Sequence, residues 1–260
     1  MRSLSVLSIV IGGLLAVASE VASQSPAFEV VSVKPANANA RGMSIETNRG
    51  RFVARCATLS FLVQYAYRLQ AFQISGGPSW IDSDKFEIQA RFDGNDNAEN
   101  DDKLILMLQT VLGDRFKLRF HRETRQLPVY ELVVAKNGPK LTPSNESTRP
   151  SMQGGGGQLT ARHASIANLA GTLKRGLGRE VIDKTGLKGF YDFKLVFTPD
   201  ANQPPGAIPP GVPGPPRAPV DPNGPSIFTA LQEQLGLKLE AAKGPVEILV
   251  VDNADKPSEN

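Results

Sequence analysis

Apolar and polar residues alternate from Arg51 to Arg55, with Phe52 and Ala54 on one side, and the rhythm changes at Thr58. Beyond it Leu59, Leu62, Val63, Ala66 and Leu69 recur at helical spacing. The pattern predicts a short strand, an N-cap at Thr58 and an amphipathic helix. The same change of rhythm returns near Gln158. Ser165 offers the cap, and Ile166, Leu169, Ala170 and Leu173 form the stripe. Aligned without gaps, Gly50, Ala54, Arg55, Ala57 and Leu62 match Gly157, Ala161, Arg162, Ala164 and Leu169.

Later matches keep the same order. Phe86-Glu87-Ile88 answers Tyr191-Asp192-Phe193. Leu108-Gln109 and Leu112-Gly113 answer Leu231-Gln232 and Leu235-Gly236, and PVYELVVA from Pro128 answers PVEILVVD from Pro245. Collinear matches of this kind predict an internal duplication. Each unit then holds a strand at Phe86–Phe92 or its counterpart, and a second helix. In the first unit that helix is capped at Asp101 or Asp102, with Leu104, Ile105, Leu108 and Leu112 inward. In the second it begins at Ser226. Two terminal strands close each unit: Lys117–Arg122 with Val129–Val134, and Leu237–Ala241 with Val246–Val251. Phe28–Lys34 reads as an extra strand.

The expected fold is α+β: two tandem related units, each a small sheet with two helices on one face, leaning on each other. The first unit spans 24–140 and the second 158–253, followed by a tail at 254–260. Residues 141–157 form a Pro/Ser- and then Gly-rich linker. Eleven prolines between Pro199 and Pro225 forbid a helix or a central strand there.

Composition adds location more than chemistry. After Arg2, Leu4 to Ala18 is almost wholly apolar or small, and Val21-Ala22-Ser23 suits a signal peptidase. A secretory signal over 1–23 is expected, cut after Ser23 or Ala18, leaving a periplasmic or secreted protein. The apolar run is short of the ~20 residues that span a bilayer. Cys56 is the single cysteine, so no internal disulfide forms and its thiol is expected to be buried. Net charge is only +3, which excludes the basic stripe of a nucleic-acid binder.

The chain carries little recognisable chemistry. Cys56, His121 and His163 are the only soft or imidazole ligands, so no metal and no cofactor is expected. Asp183-Lys184-Thr185-Gly186 resembles a phosphorylation loop but reads better as a polar turn with Gly186 at positive φ. Arg115, Lys117, Arg119 and His121 alternate with Phe116, Leu118 and Phe120, and Arg122 and Arg125 extend the basic group. The plainer reading is a solvent face balanced by the acidic run Asp93–Asp102. Trp80, the only tryptophan, follows Gly76-Gly77-Pro78 and offers a flat stacking surface or an edge to the core.

FEVVSVKP from Phe28, TLSFLVQYAYRL from Thr58, GGPSWI from Gly76, the run Leu112–Leu141, VIDKTGLKGFYDF from Val181, and the closing LQEQLGLKLE and VEILVVDNADKPSEN resemble a family. It is the exported, soil-associated paralogous proteins of Solibacter-type acidobacteria. That resemblance implies export and no established activity. Similar domains attached to membrane sensor peptidases imply a sensing or binding role. A fainter likeness is to the βαβ domains at the periplasmic entrance of secretins and outer-membrane receptors. The expectation is a non-enzymatic binding or protein-interaction module, with Trp80 and Tyr67 as contact surface and Arg119 and Arg122 as charge partners. Its ligand would be a protein, a peptide or a cell-envelope fragment. The alternatives are a secreted hydrolase using Asp82 with Asp84 or Asp183 with Asp192, and a scaffold docking through its proline-rich loop.

Overall fold

The computed structural model describes residues 26–37, 42–93, 98–145, 149–199 and 223–258. The expected signal at 1–23, residues 94–97 of the acidic run, 146–148 of the linker and 200–222 of the proline-rich run lie outside the described residues.

The first half begins with β1 (Val30–Pro35), β2 (Ser44–Asn48), β3 (Arg51–Thr58) and α1 (Leu59–Tyr67). It continues through β4 (Ile74–Gly76), β5 (Lys85–Arg91), α2 (Ala98–Arg115) and β6 (Arg119–Val134). The second half has β7 (Thr142–Pro143), β8 (Ser151–Gly155), β9 (Gln158–Ala164), α3 (Ile166–Leu177), β10 (Val181–Asp183) and β11 (Tyr191–Val196). It ends with α4 (Ile227–Ala230), a π-helical turn (Leu231–Leu235) and β12 (Leu237–Asn253). The order of elements is the same in both halves.

Three of the expected caps do cap. Thr58 Oγ1 accepts from Phe61 N–H, Ser165 Oγ from Asn168 N–H, and Ser226 Oγ from Thr229 N–H. Each satisfies a helix donor that has no partner within the helix. Helix α2 differs from its expected start. It begins at Ala98, so Asp101 and Asp102 stand within the helix rather than at its cap.

The protein is α+β, with three four-stranded sheets among the described residues. One sheet per unit is therefore corrected to an outer sheet per half plus a shared third. The outer sheets run β1-β5-β3-β2 and β7-β11-β9-β8. Their registers correspond: Ser44 faces Arg55 as Ser151 faces Arg162, and Arg51 faces Arg91 as Gln158 faces Val196. Both central strands lose step at the same place, between Ala54 and Ala57 on β3 and opposite Tyr191 and Phe193 on β9. There Cys56 and His163 take positive φ, 49° and 47°.

The shared sheet runs β10-β6-β12-β4. β6 and β12 pair antiparallel along nearly their whole length, roughly 50 Å at about 3.3 Å per residue. Each is continuous, which corrects the two pairs of terminal strands. β4 of the first half lies parallel to β12 of the second, and β10 of the second lies parallel to β6 of the first. Each half thus lends its long strand to the other. Leu249 and Val251 of β12 enter the first core with α1, α2 and the first outer sheet; Leu132 of β6 enters the second.

Candidate functional site

Side chains alternate across the long ladder, so position alone assigns their faces. One face carries Phe120, Arg122, Thr124, Gln126, Pro128, Tyr130 and Leu132 from β6. Opposite them stand Val251, Leu249, Glu247, Pro245, Lys243, Ala241 and Leu239 from β12. Its ends are core: Val251 and Leu249 at one, Leu132 and Leu239 at the other. Its middle is open, with Arg122, Thr124, Gln126, Pro128, Ala241, Lys243, Pro245 and Glu247 all exposed. The opposite face reverses this. Val129, Val246 and Ile248 are buried there beneath Phe72 and Ile182, while His121, Asp252, Lys238 and Glu240 are exposed. Gly244 belongs to that packing, since a Cβ would come within 2.9 Å of Ile182 Cδ1. The buried side therefore changes faces as the ribbon passes from one core to the other.

Both prolines fit this edge. Tyr130 N–H donates to Glu180 O at 2.8 Å and Lys184 N–H to Leu132 O at 2.9 Å. Backbone groups in step with Tyr130, including the position of Pro128, thus point out of the ladder. Glu247 O accepts from Gln73 Nε2 at 3.2 Å, and Pro245 is in step with Glu247. Neither β4 nor β10 reaches the prolines. Their missing donors fall on open edges, where proline is tolerated and blunts strand addition.

The open stretch is framed by aromatics. At the first-half end Tyr67 packs edge-on to Phe120 with ring centroids 4.8 Å apart, and Arg122 pairs with Glu247. Burial raises the Tyr67 phenol above the usual tyrosine range, opposed by the nearby Arg122 charge. At the second-half end Tyr130 meets Phe228 at 5.4 Å, and the Arg179 guanidinium lies 4.7 Å from the Tyr130 ring centroid. Sequence reasoning missed Glu247, Lys243, Tyr130, Phe228 and Arg179. The available signal was the shift of apolar phase within LKLEAAKGPVEILVV, which marks where the buried side changes.

Of the four residues proposed from sequence, Tyr67 and Arg122 come together. Arg119 lies on the opposite face of β6, in step with His121, because it is an odd number of positions from Arg122. Trp80 is half-buried against the first core and edge-on to Phe86 at 6.0 Å. Lys256 Nζ lies 5.8 Å from its ring centroid and pairs with Asp84 at 2.6 Å. An open cavity of about 350 Å³ there is lined by Pro35, Asp84, Lys85, Phe86, Lys256 and Pro257. The hydrogen bond from Lys256 lowers the Asp84 pKa. A second open cavity, about 250 Å³, lies between Phe228, Gln232, Glu233, Lys238 and Leu239.

The basic group is balanced by acids of the ladder itself. His121 meets Asp252 at 2.8 Å, Arg122 meets Glu247, and Arg125 meets Glu123. From the acidic run, Asp102 pairs with Arg68. Asp183 Oδ1 accepts from the N–H and Oγ1 of Thr185, with Gly186 at φ 69°, and Asp192 accepts from His163 N–H at 2.7 Å. Cys56 is buried. His163 stacks on Phe190 at 4.1 Å, and its Nδ1 is buried without a partner among the described residues. Among the described residues no three His, Cys, Asp or Glu side chains gather to hold a metal, and no helix is long and apolar enough to cross a membrane.

A family described as a protein of unknown function, DUF3738, matches residues 60–254, well over half of the chain. No curated protein and no solved structure matches it.

Proposed function

The chain belongs to the DUF3738 family of unknown function, and we propose that it is an exported binding module holding a partner against the open middle of the β6–β12 ladder. The observation that carries this reading is the reversal of burial. A ribbon that is core at both ends exposes Arg122 and three cross-strand pairs between them, Thr124 with Glu247, Gln126 with Pro245 and Pro128 with Lys243. The stretch is roughly 20 Å long. It offers both charges and flanking aromatics, which suits an extended polymer such as a peptide or a cell-envelope fragment better than a compact metabolite. The surface exists because two halves share one ladder. We read those halves as the products of an internal duplication, supported by the repeated element order, registers and bulges. Export rests on the apolar segment 1–23 and on the resemblance to exported soil-bacterial paralogues.

Affinity capture from native envelope extract, with the mature chain as bait, tests the reading. A species held by the wild type should be lost with a double Tyr67→Ala, Arg122→Ala variant whose melting curve still shows a folded protein. Equal capture by both proteins would sink the proposed surface.

A further inference from the structure

The two outer sheets differ at one edge. In the first half β5 is covered on its outer side by β1 along six residues, with Ser32 facing Gln89 and Val30 facing Arg91. Gln89 and Arg91 correspond to Lys194 and Val196, since Val53 and Arg51 face the former as Thr160 and Gln158 face the latter. In the second half β7 covers only Tyr191 and Asp192. Val196 is closed by a side chain: its N–H donates to Gln234 Oε1 at 2.9 Å, and Gln234 Nε2 donates to its carbonyl at 2.8 Å. One amide thus mimics one rung of a strand. The N–H and C=O of Lys194 point the same way by strand alternation and have no partner among the described residues.

The cause lies in the connection. β1 starts its half and is free to run on. β7 follows β6, and the chain before it is drawn off toward the π-helical turn, where Lys140 N–H donates to Leu235 O at 2.8 Å and Lys140 Nζ to Glu233 O at 2.7 Å. Gln234 stands in the π-helical turn Leu231–Leu235, within hydrogen-bond reach of β11.

We propose that the outer edge of β11 at Lys194–Val196 accepts an extended segment of a partner polypeptide, added antiparallel as β1 is to β5, with Gln234 as a displaceable plug. The first half specifies the occupant's chemistry. The residue opposite Leu195 corresponds to Val31, which packs against the first core, so it is apolar and β-branched. Residues opposite Lys194 and Val196 face outward and need free N–H groups, which excludes proline. This surface is separate from the open ladder and stands or falls without it.

The probe is an acetylated, amidated hexapeptide with the sequence of residues 27–32, Ala-Phe-Glu-Val-Val-Ser, titrated into the ¹⁵N-labelled mature chain. Shifts should concentrate at Lys194 and Val196, and the amide of Lys194 should gain protection from hydrogen exchange. Gln234→Ala should tighten binding roughly tenfold, the worth of the one or two hydrogen bonds no longer displaced. N-methylation at the peptide positions matching Val30 and Ser32 should abolish binding. No binding even to Gln234→Ala, binding indifferent to N-methylation, or shifts at Gln89 and Arg91 instead would each overturn the proposal. So would protein-concentration-dependent shifts at Lys194 without peptide, which would give the edge to a second copy.

Discussion

Cys56 and His163 hold the same left-handed backbone, at φ 49° and 47°, at equivalent bulges of two strands. A side chain in that region meets its own carbonyl, at a cost of about 1–2 kcal/mol that glycine escapes. His163→Gly should therefore be more stable than His163→Ala by about 1 kcal/mol. Equilibrium denaturation of the two variants measures the difference, and an alanine variant equal to or above the glycine one would contradict the strained bulge.

Gly236 ends the last helix at φ 64°, and a Cβ there would overlap the carbonyl oxygen of Gly138. Neither backbone can retreat, because Ala135 N–H donates to Gly236 O and Gly138 N–H to Ala135 O. Gly236→Ala should cost about 2 kcal/mol or more, combining overpacking with an unfavourable φ. The comparison is Gly113→Ala, where a Cβ meets nothing within 4 Å, which should be neutral or stabilising.

Each long strand completes the other half's core. Leu132→Ala should open a cavity in the second core and Leu249→Ala one in the first, each costing about 2–5 kcal/mol. A fragment of residues 26–140 lacks β12 and leaves β4 without its partner strand. It should show no near-ultraviolet dichroism alone and regain it when mixed with residues 141–258. A fragment that folds alone would show that the shared ladder is dispensable.

Burial holds the Tyr67 proton more tightly in the folded chain than in the unfolded one. Its stabilising share is complete below the ordinary tyrosine range and is lost as pH rises through the elevated folded value. Tyr67→Phe should flatten the fall of stability above about pH 10. Absorbance titration near 295 nm should show the phenolate of Tyr67 forming after that of an unfolded reference; simultaneous ionisation would remove the effect.

Much of the local structure was legible along the chain. Thr58, Ser165 and Ser226 announce helices because a hydroxyl before an apolar stripe can satisfy the first free N–H groups, and that chemistry spans only three residues. The site was less legible. Arg119 and Arg122 look like one basic group in sequence, yet they stand on opposite faces of one strand, and Arg122 meets an acid that lies far along the chain at Glu247.

Residue order alone determined the starts of α1, α3 and α4 and the polar turn at Asp183–Gly186, because caps and periodicity act over a few neighbours. The tertiary structure alone decided that the terminal strands are continuous, that each half completes the other's core, and that the buried side of the ladder changes faces midway. A strand's alternation tells which residues share a face. Which face is covered depends on what packs there, and for β6 and β12 that covering comes from opposite halves of the chain.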